Sequence, residues 1–230
     1  MELLDALRTT AAIRDFTDEA VPDEVVARIL DTARFAPSGG NAQSWHVVVV
    51  RDPQRRRALR DLYLDGWYDY LAMTAAGLRP WAPTNDRDAE AAALPAAAGI
   101  AADARAGGGG FAEHLDEVPA LLAVWSDLGA LAAVDRDLDR YGFAGGASVY
   151  PFVWSVLLAA RAEGLGGVIT TMCIAREAEV RTVLDAPDHL ALAAVVALGH
   201  PVHQPTRLRR STVGSFTTVD TVTGPPVVGP

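Results

Sequence analysis

Residues 36–50 read Ala-Pro-Ser-Gly-Gly-Asn-Ala-Gln-Ser-Trp-His-Val-Val-Val-Val, and this stretch decides the fold. Residues 37–41 are turn formers and helix breakers, so they end the helix that precedes them. Residues 46–50 are rich in β-branched side chains and predict a buried strand, which Arg51-Asp52-Pro53 ends. The stretch therefore predicts a helix, then a polar glycine-containing loop, then a strand.

Helices and strands are both predicted on either side of this stretch. Pro22 followed by two acidic residues is typical of a helix start, and an apolar stripe follows it as far as residue 33. Residues 150–163 are apolar nearly all round, which predicts a buried helix. The remaining predicted helices are 3–7, 54–63 and 176–184, and the remaining strands are 120–125, 168–172 and 190–198.

Two long stretches lack a regular period. Residues 65–110 are rich in alanine, with scattered aromatic residues and a Gly107–Gly110 tract. We predict helical pieces joined by loops that form a lid or insertion; a solvated excursion without a role is the equal alternative. Residues 201–230 are proline-rich and predict an extended tail that lies on the chain's own surface or on a partner's. The 230 residues otherwise suit a single domain without internal repeats.

Composition excludes several classes of function. Twenty basic residues against 29 acidic ones give a net charge of −9, which argues against nucleic-acid binding. No lysine occurs, so P-loop, Schiff-base and lysine general-base chemistry are excluded. Cys173 is the single cysteine, so no intrachain disulfide forms. The acidic start does not resemble a secretory signal, and no apolar run could span a bilayer. We expect a cytoplasmic protein that does not bind membranes.

Common catalytic constellations are weak in this chain. His200 and His203 are separated by a proline, which breaks the helix that would aim both at one metal, so no metal site is expected. Ser148 lies in a segment that resembles a nucleophile elbow without its second glycine. Residues 164–167 follow a helix and lack the third glycine of a dinucleotide fingerprint.

A set of polar residues remains on segments rich in glycine or arginine. Guanidinium groups bind phosphate in a forked geometry, amides offer donors and acceptors to a polar ring edge, and glycines let backbone N–H groups approach a flat ring. Together the residues suit a phosphorylated heteroaromatic cofactor. Taken singly, each of them is explained equally well as a surface charge, a turn residue or a helix stop. Its members are Arg14, Ser38, Asn41, Gln43, Gly166, Gly167, Thr170, Arg209 and Arg210.

Four segments together resemble the nitroreductase family of FMN-dependent oxidoreductases. Residues 36–45 are similar to the family's A-P-S-x-x-N-x-Q-P-W signature, with Ser44 in place of the proline. The other segments are 13–22, 147–166 and 198–210. The resemblance implies an α+β fold whose central, mostly antiparallel sheet is flanked by helices. It also implies an intertwined homodimer with an FMN site at each side of the interface and tails, residues 201–230, that embrace the partner subunit.

The resemblance also implies roles for individual residues. Arg14 would contact the flavin at its ribityl–phosphate portion or its pyrimidine edge, and Arg209 and Arg210 would hold the phosphate. Gly166 and Gly167 would bring backbone N–H groups near the ring, where they stabilise charge on the reduced flavin. The loop that would line the flavin from the other subunit contributes Pro37, Ser38, Gly39, Asn41 and Gln43, with Ser148 as a weaker candidate.

Departures from the family pattern occur beside Arg14 and in the long helix. Family members usually carry an arginine and a serine where this chain has Ala11 and Ala12. Losing a charge-assisted hydrogen bond costs about 1.5–3 kcal/mol, or one to two orders of magnitude in affinity. We therefore expect weaker FMN binding than is typical, with Arg8 or Thr10 as possible replacements. Trp154 stands where the helix often has a polar residue. If it faces the flavin it would alter the substrate pocket; the alternative, which we expect, is that it lies in the core.

The implied reaction passes hydride from NADH or NADPH through FMN to a flat, electron-poor acceptor such as a nitroaromatic or a quinone. No catalytic side chain is expected, because the flavin does the chemistry. Alternatives are reductive dehalogenation, flavin fragmentation or desaturation by an FMN enzyme, a non-catalytic flavin-binding protein, and a metal-free hydrolase using Ser148. The aromatic residues that would stack on substrate, or simply pack, are Trp67, Tyr68, Tyr70, Trp81 and Phe111.

Overall fold

The computed structural model describes residues 2–227, and an antiparallel sheet forms its centre. Within these residues the sheet has four strands in the order β1-β2-β4-β3, and every neighbouring pair is antiparallel. The strands are β1 (Trp45–Val49), β2 (Ala120–Asp127), β3 (Gly166–Thr170) and β4 (Leu190–Gly199). The predicted α+β class with an antiparallel sheet is confirmed, and each predicted strand lies within two residues of its observed position.

Helices cover both faces of the sheet. The α-helices are α1 (Leu3–Thr9), α2 (Asp23–Ala33), α3 (Pro53–Ala75), α4 (Arg87–Ala93), α5 (Ala97–Ala106), α6 (Tyr150–Ala162) and α7 (Glu177–Leu184). Short 3-10 turns are found at Gly39–Asn41, Leu94–Ala96, Leu115–Glu117, Ala144–Ser148, Met172–Arg176 and Val213–Ser215. No helix among the described residues is long and apolar enough to cross a membrane.

Two apolar clusters lie on opposite faces of the sheet, and β2 contributes to both. Leu122 and Val124 pack in the cluster beneath α2 and α6. Leu121 and Trp125 pack in the other cluster, with residues of α3, α7 and 111–118. Successive side chains of a strand point to opposite faces. Because both faces are covered, β2 and β4 are apolar along most of their length instead of alternating.

Helix α3 is longer than its predicted range of 54–63. Its start follows local rules, since the Asp52 side chain accepts hydrogen bonds from the backbone N–H groups of Gln54 and Arg55 at 3.0 and 2.8 Å. The helix continues to Ala75 and buries residues around more than one side. A helix with neighbours on several sides loses the single apolar stripe that marks a surface helix. The first part of the predicted 65–110 segment is therefore a continuation of α3.

Helix α6 has one uncovered side, contrary to the expectation of burial all round. Tyr150 and Trp154, which are neighbours on the same helical face, are 44% and 37% exposed. The expectation that Trp154 lies in the core is wrong. The apolar composition of α6 thus provides more apolar surface than this chain covers.

The tail begins by pairing with the N-terminal segment. The Thr17 N–H donates to the His200 carbonyl at 2.8 Å, and the Val202 N–H donates to the Asp15 carbonyl at 3.1 Å. From there to residue 227 the tail is mostly exposed; it contains the Val213–Ser215 turn and a second turn in which the Gly224 N–H donates to the Thr221 carbonyl at 3.0 Å. The last residues of the predicted tail, 228–230, lie outside the described residues.

Candidate functional site

Arg14 lies at the outer edge of β3. The Ile13 N–H donates to the Gly167 carbonyl at 2.8 Å, and Ala12 forms a parallel bridge with the same residue. The Arg14 side chain is exposed, and it has no hydrogen bond or ion pair with any residue in the range 2–227. An arginine held in place by its backbone with its guanidinium group unpaired is suited to an anionic or polar ligand.

Gly166 and Gly167 allow this close approach. A Cβ atom at Gly166 would lie 2.7 Å from the Ile13 side chain. One at Gly167 would lie 2.5 Å from the Leu198 side chain and 2.7 Å from the Ala197 carbonyl oxygen. Packing of the N-terminal segment against β3 therefore requires Gly166, and packing of β3 against β4 requires Gly167. Their predicted role as N–H donors to a ring remains a prediction.

Tyr63, on α3, belongs to the same region and was missed by sequence reasoning. Its hydroxyl is buried, which raises its pKa, while a hydrogen bond with Thr170 and the charge of Arg14 act in the opposite direction. Its ring also meets Phe111 edge-on, with 6.2 Å between centroids. The one available signal was its position four residues before Trp67, since helical neighbours share a face. The predicted helix end at residue 63 hid that relation.

The predicted stacking residues form one continuous row with Tyr63. Trp67 lies 6.3 Å from Tyr63 between ring centroids and is stacked on Tyr70 at 5.4 Å, with 7° between the ring planes. Tyr70 in turn lies 6.2 Å from Trp81. The structure thus brings together Trp67, Tyr70, Trp81 and Phe111 beside the Arg14 region.

Tyr68 is separate from this row. It is buried on another side of α3, and its hydroxyl donates to Glu113 at 2.7 Å. Burial and that hydrogen bond raise the pKa of Tyr68 to about 12. Near the row, Arg14 and Phe111 line a cavity of about 510 Å³ that opens to the surface. Of the predicted stacking residues, Phe111 lines this cavity, whereas Trp67, Tyr70 and Trp81 do not. Tyr68 is outside the row, and its buried hydrogen bond to Glu113 favours the packing alternative over substrate stacking.

The polar loop after α2 is held in a specific conformation. Asn41 and Gln43 have φ values of 55° and 49°, a region that costs about 1–3 kcal/mol for residues other than glycine. The Ser38 hydroxyl accepts from the Gln43 N–H at 3.0 Å, and the Asn41 side-chain oxygen accepts from the Gln43 amide at 3.2 Å. Pro37, Asn41 and Gln43 are exposed. The loop therefore presents amide groups in a shape that its own hydrogen bonds maintain.

Ser148 anchors this loop. Its hydroxyl is buried in the turn before α6 and accepts a hydrogen bond from the Gly39 N–H at 3.0 Å. Within the described residues this is its one hydrogen-bond partner. A hydrolytic serine needs a base within hydrogen-bond reach. The geometry therefore supports a positioning role for Ser148 and gives no support to the hydrolase alternative.

The loop and the Arg14 region lie at diagonally opposite corners of the sheet. The loop leads into Trp45, which pairs with Ser126 on β2. Ser126 in turn pairs with Ala191 near the start of β4, so the loop lies at this end of the sheet. Gly166 pairs with Gly199 at the other end of β4 and on the other edge of the sheet. Eight residues along a strand and three strand spacings across correspond to a separation of about 30 Å. One chain does not bring the two halves of the predicted site together.

The tail arginines occupy a third position, beside α1. The Gln204 side chain donates to the Thr9 carbonyl at 3.0 Å, which places the following residues next to this helix. Arg210 lines a cavity there together with Arg8, whereas Arg209 does not. Arg209 contributes its carbonyl oxygen, which accepts from Arg210 at 2.7 Å.

Comparisons with known proteins agree with this architecture. A NADH dehydrogenase of Thermus thermophilus is 31% identical over 209 residues, covering 84% of this chain and 83% of that protein. A 5,6-dimethylbenzimidazole synthase of Rhodospirillum rubrum is 31% identical over 205 residues, covering 86% and 82%. A nitroreductase-like protein of Desulfovibrio desulfuricans, solved in complex with FMN, superposes with a TM-score of 0.60 at 26% identity over 92% of each chain.

The family itself is shown by a match that spans most of the chain. Residues 7–200 match the sequence profile of the Nitroreductase family, so the matched part extends from α1 to the end of β4. It includes the loop after α2, the Arg14 segment and all four strands. The chain belongs to the nitroreductase family.

Proposed function

We propose that this protein is an FMN-dependent oxidoreductase that passes hydride from NADH or NADPH to a flat, electron-poor acceptor. The observation that carries the proposal is Arg14, which is unpaired among residues 2–227 and lies near Tyr63, where the aromatic row begins. A charged donor next to stacked aromatic rings suits a ligand with a flat ring and polar edges. The FMN complex of the Desulfovibrio relative and the named activity of the Thermus relative support the same proposal.

The residues present fit a flavin. Arg14 would donate to its pyrimidine edge or ribityl chain, and the exposed amides of Asn41 and Gln43 would contact the ring from a second subunit. When bound, FMN supplies the hydride chemistry. The protein's part is to bind and orient the ring and, through backbone N–H groups near Gly166 and Gly167, to stabilise negative charge. No side-chain acid or base is assigned.

A homodimer would complete the site. The loop of residues 37–43 and Arg14 lie about 30 Å apart in one chain, by strand spacing and rise. A two-fold partner with its loop against the β3 edge would remove that separation at both sites. Exposed apolar side chains offer the surface for such contact: Phe35 and Phe143 are 75% and 76% exposed, and Trp154 is exposed on α6. The exposed tail is proposed to embrace the partner.

The acceptor is proposed to stack on the aromatic row, which suits nitroaromatics and quinones. A second candidate reaction is flavin fragmentation, because a relative at 31% identity is a 5,6-dimethylbenzimidazole synthase. The two differ in the role of the nicotinamide donor. An oxidoreductase of the proposed kind turns over repeatedly with its donor and acceptor, whereas a fragmenting enzyme consumes its flavin and releases a benzimidazole.

The test starts from the absorption spectrum of the purified protein. Flavin bands, with chromatography identifying FMN, are expected, followed by anaerobic bleaching on addition of NADH or NADPH and by steady reduction of a nitroaromatic. Arg14→Ala should lower flavin occupancy, whereas Arg57→Ala, at an exposed α3 residue that does not line the Arg14 cavity, should not. A protein that stays colourless with added FMN would refute the cofactor. A bound flavin without turnover would favour the non-catalytic alternative, and a benzimidazole product would favour fragmentation.

A further inference from the structure

The Gly107–Gly110 tract forms a tight turn that carries the chain from the end of α5 to the cavity beside Arg14. Its two middle residues have φ values of 87° and 71°, a region that glycine adopts freely. A Cβ atom at Gly109 would lie 2.6 Å from the Glu113 side chain. The residue that follows the tract is Phe111, which lines the cavity. The glycines therefore permit a sharp turn that brings Phe111 to this place.

The imidazole ring of His114 holds the turn in this shape. Its Nε2 lies 3.0 Å from the Gly108 carbonyl oxygen, and its Nδ1 lies 3.1 Å from the Glu117 carboxylate. Both partners are hydrogen-bond acceptors. A neutral imidazole has one N–H and donates to one of them, whereas the protonated ring donates to both. The hydrogen bond to Gly108 and then the charges of Glu117 and Asp116 raise the pKa of His114, against a smaller opposing effect of burial.

The ion pair between His114 and Glu117 has no substitute nearby. Asp116 is already paired with Arg60 of α3 at 3.0 Å. Within residues 2–227, Glu117 forms its one ion pair with His114. The ionisable groups on the surrounding elements are Glu113, Asp116 and Glu117 on the same segment, Arg56, Arg60 and Tyr68 on α3, Arg105 on α5, and Arg14, Asp15 and Asp18 across the cavity.

We propose that His114 acts as a pH-sensitive switch that holds the Gly107–Gly110 turn closed and keeps Phe111 at the Arg14 cavity. The protonated ring ties the turn to Glu117 through two charge-assisted hydrogen bonds. Loss of the proton removes one of these bonds and the ion pair. The glycine turn then opens more often, and Phe111 leaves the cavity wall more readily. The switch belongs to the protein alone, so it is independent of the proposed flavin function.

The direction of the pH dependence follows from the raised pKa of His114. A group whose folded-state pKa is raised contributes stability that is fully present below its unfolded-state pKa. For histidine that value is about 6.5. The contribution is lost as the pH rises through the folded-state value. The turn is therefore expected to be closed in mildly acidic solution and to open increasingly in mildly alkaline solution.

Hydrogen–deuterium exchange of the turn tests the switch in the full-length protein as purified. The Gly109 N–H donates to the Ala104 carbonyl at 2.9 Å and the Gly110 N–H donates to Glu113 at 2.7 Å, so both exchange when the turn opens. Exchange is measured at pH 5.5 and pH 8 and is expressed as protection relative to the unstructured chain, which removes the pH dependence of the chemistry itself. Protection of these groups is expected to fall about three- to tenfold between the two pH values.

His114→Gln should abolish this pH dependence, because glutamine does not titrate. The matched control is His203→Gln, at an exposed histidine of the tail that does not line the cavity, and it should behave as the unmodified protein does. Glu117→Gln keeps an acceptor but removes the charge, so it should reduce the pH dependence. This second variant makes the same test if His114→Gln fails to fold, which circular dichroism reveals.

Two results would overturn the switch. One is protection of the turn that is the same at pH 5.5 and pH 8 in the unmodified protein. The other is a pH dependence that persists undiminished in folded His114→Gln or in Glu117→Gln, which would assign the titration to another group. Neither result bears on whether the protein binds a flavin, because exchange at the turn is measured without reference to turnover.

Discussion

Single residues in this protein owe their importance to partners that are distant in sequence. Ser148 and Gly39 are 109 positions apart, yet one hydrogen bond between them holds the polar loop to the start of α6. Arg14 depends on Ile13 and Gly167 in the same way. The residues that a motif identifies are therefore only part of the site, and the residues that position them decide its shape.

Replacing Ser148 with alanine should destabilise the protein by about 1–2 kcal/mol, because the Gly39 N–H loses its acceptor in a partly buried place. The free energy of unfolding from urea denaturation measures this. Ser155→Ala is the control, since that hydroxyl only donates to a carbonyl of its own helix and its loss should change stability by less than about 0.5 kcal/mol. Equal effects of the two substitutions would contradict the anchoring role.

Cys173 should be unreactive in the native protein. Burial raises the pKa of its thiol to about 12, so almost no thiolate is present at pH 8, and the thiolate is the reactive form. A thiol reagent should label it fully in denaturant and very slowly without it. Rapid labelling of the native protein at pH 8 would show that the surrounding α3–α7 packing opens more readily than the structure implies.

At the scale of elements, α3 is positioned by a close contact that only glycine permits. A Cβ atom at Gly66 would lie 2.9 Å from the Met172 carbonyl oxygen. Gly66→Ala should therefore cost about 1–3 kcal/mol, although alanine is normally the better helix former.

Gly99 on α5 is the matched control, because nothing lies within 4 Å of its Cβ position. Gly99→Ala should raise stability by about 0.5–1 kcal/mol. Thermal unfolding of both variants compares them directly. A neutral or stabilising Gly66→Ala would mean that α3 shifts away from Met172 without loss.

The loop between β2 and α6 is organised by Asp135. Its carboxylate accepts from the N–H groups of Phe143 and Ala144 at 2.8 and 3.1 Å and from Arg140 at 3.0 Å. These contacts, the Phe143 hydrogen bond first, lower the pKa of Asp135 below its usual value.

A lowered folded-state pKa adds stability above the unfolded-state pKa, and that stability is lost as the pH falls through the folded-state value. Asp135→Asn should therefore be less stable than the unmodified protein at pH 7, and the difference should shrink below about pH 4, near the ordinary aspartate pKa. Urea unfolding at a series of pH values measures this. A difference that is constant with pH would exclude the ionised carboxylate as its cause.

For the molecule as a whole, the decisive feature is the separation of the two half-sites across the sheet. If two chains build each site, Arg14 comes from one subunit and Asn41 from the other. Arg14→Ala and Asn41→Ala then remove contacts that different subunits make at the same site. Each variant alone should bind little flavin.

Co-expression of the two variants should restore binding, because one of the two sites in a mixed dimer then has both residues intact. With differently tagged chains, the purified mixed dimer should contain about one flavin per two chains. Flavin absorbance relative to protein concentration measures it. No recovery in a verified mixed dimer would show that one chain supplies both residues.

Local patterns in the sequence determined a large part of this protein. The β-branched run after Trp45, the proline and acidic residues at the start of α2 and the Ala-Pro-Ser-Gly-Gly-Asn stretch each act over a few neighbouring residues, so they predicted strands, helix starts and the loop. The same local segments carried the family resemblance. Composition alone excluded lysine chemistry and disulfides.

Tertiary structure decided which residues meet. In the structure Tyr63 belongs to the site and Trp154 lies outside the core. The sequence did not predict either position, because burial depends on the packing of whole elements and a helical period does not record that packing. The cavity that Arg8 and Arg210 line beside α1, and the distance between the polar loop and Arg14, follow from strand order and chain direction. The sequence by itself determined the chemical groups and the local elements, because these depend on near neighbours. Only the fold determined their juxtaposition, because it depends on contacts between residues far apart along the chain.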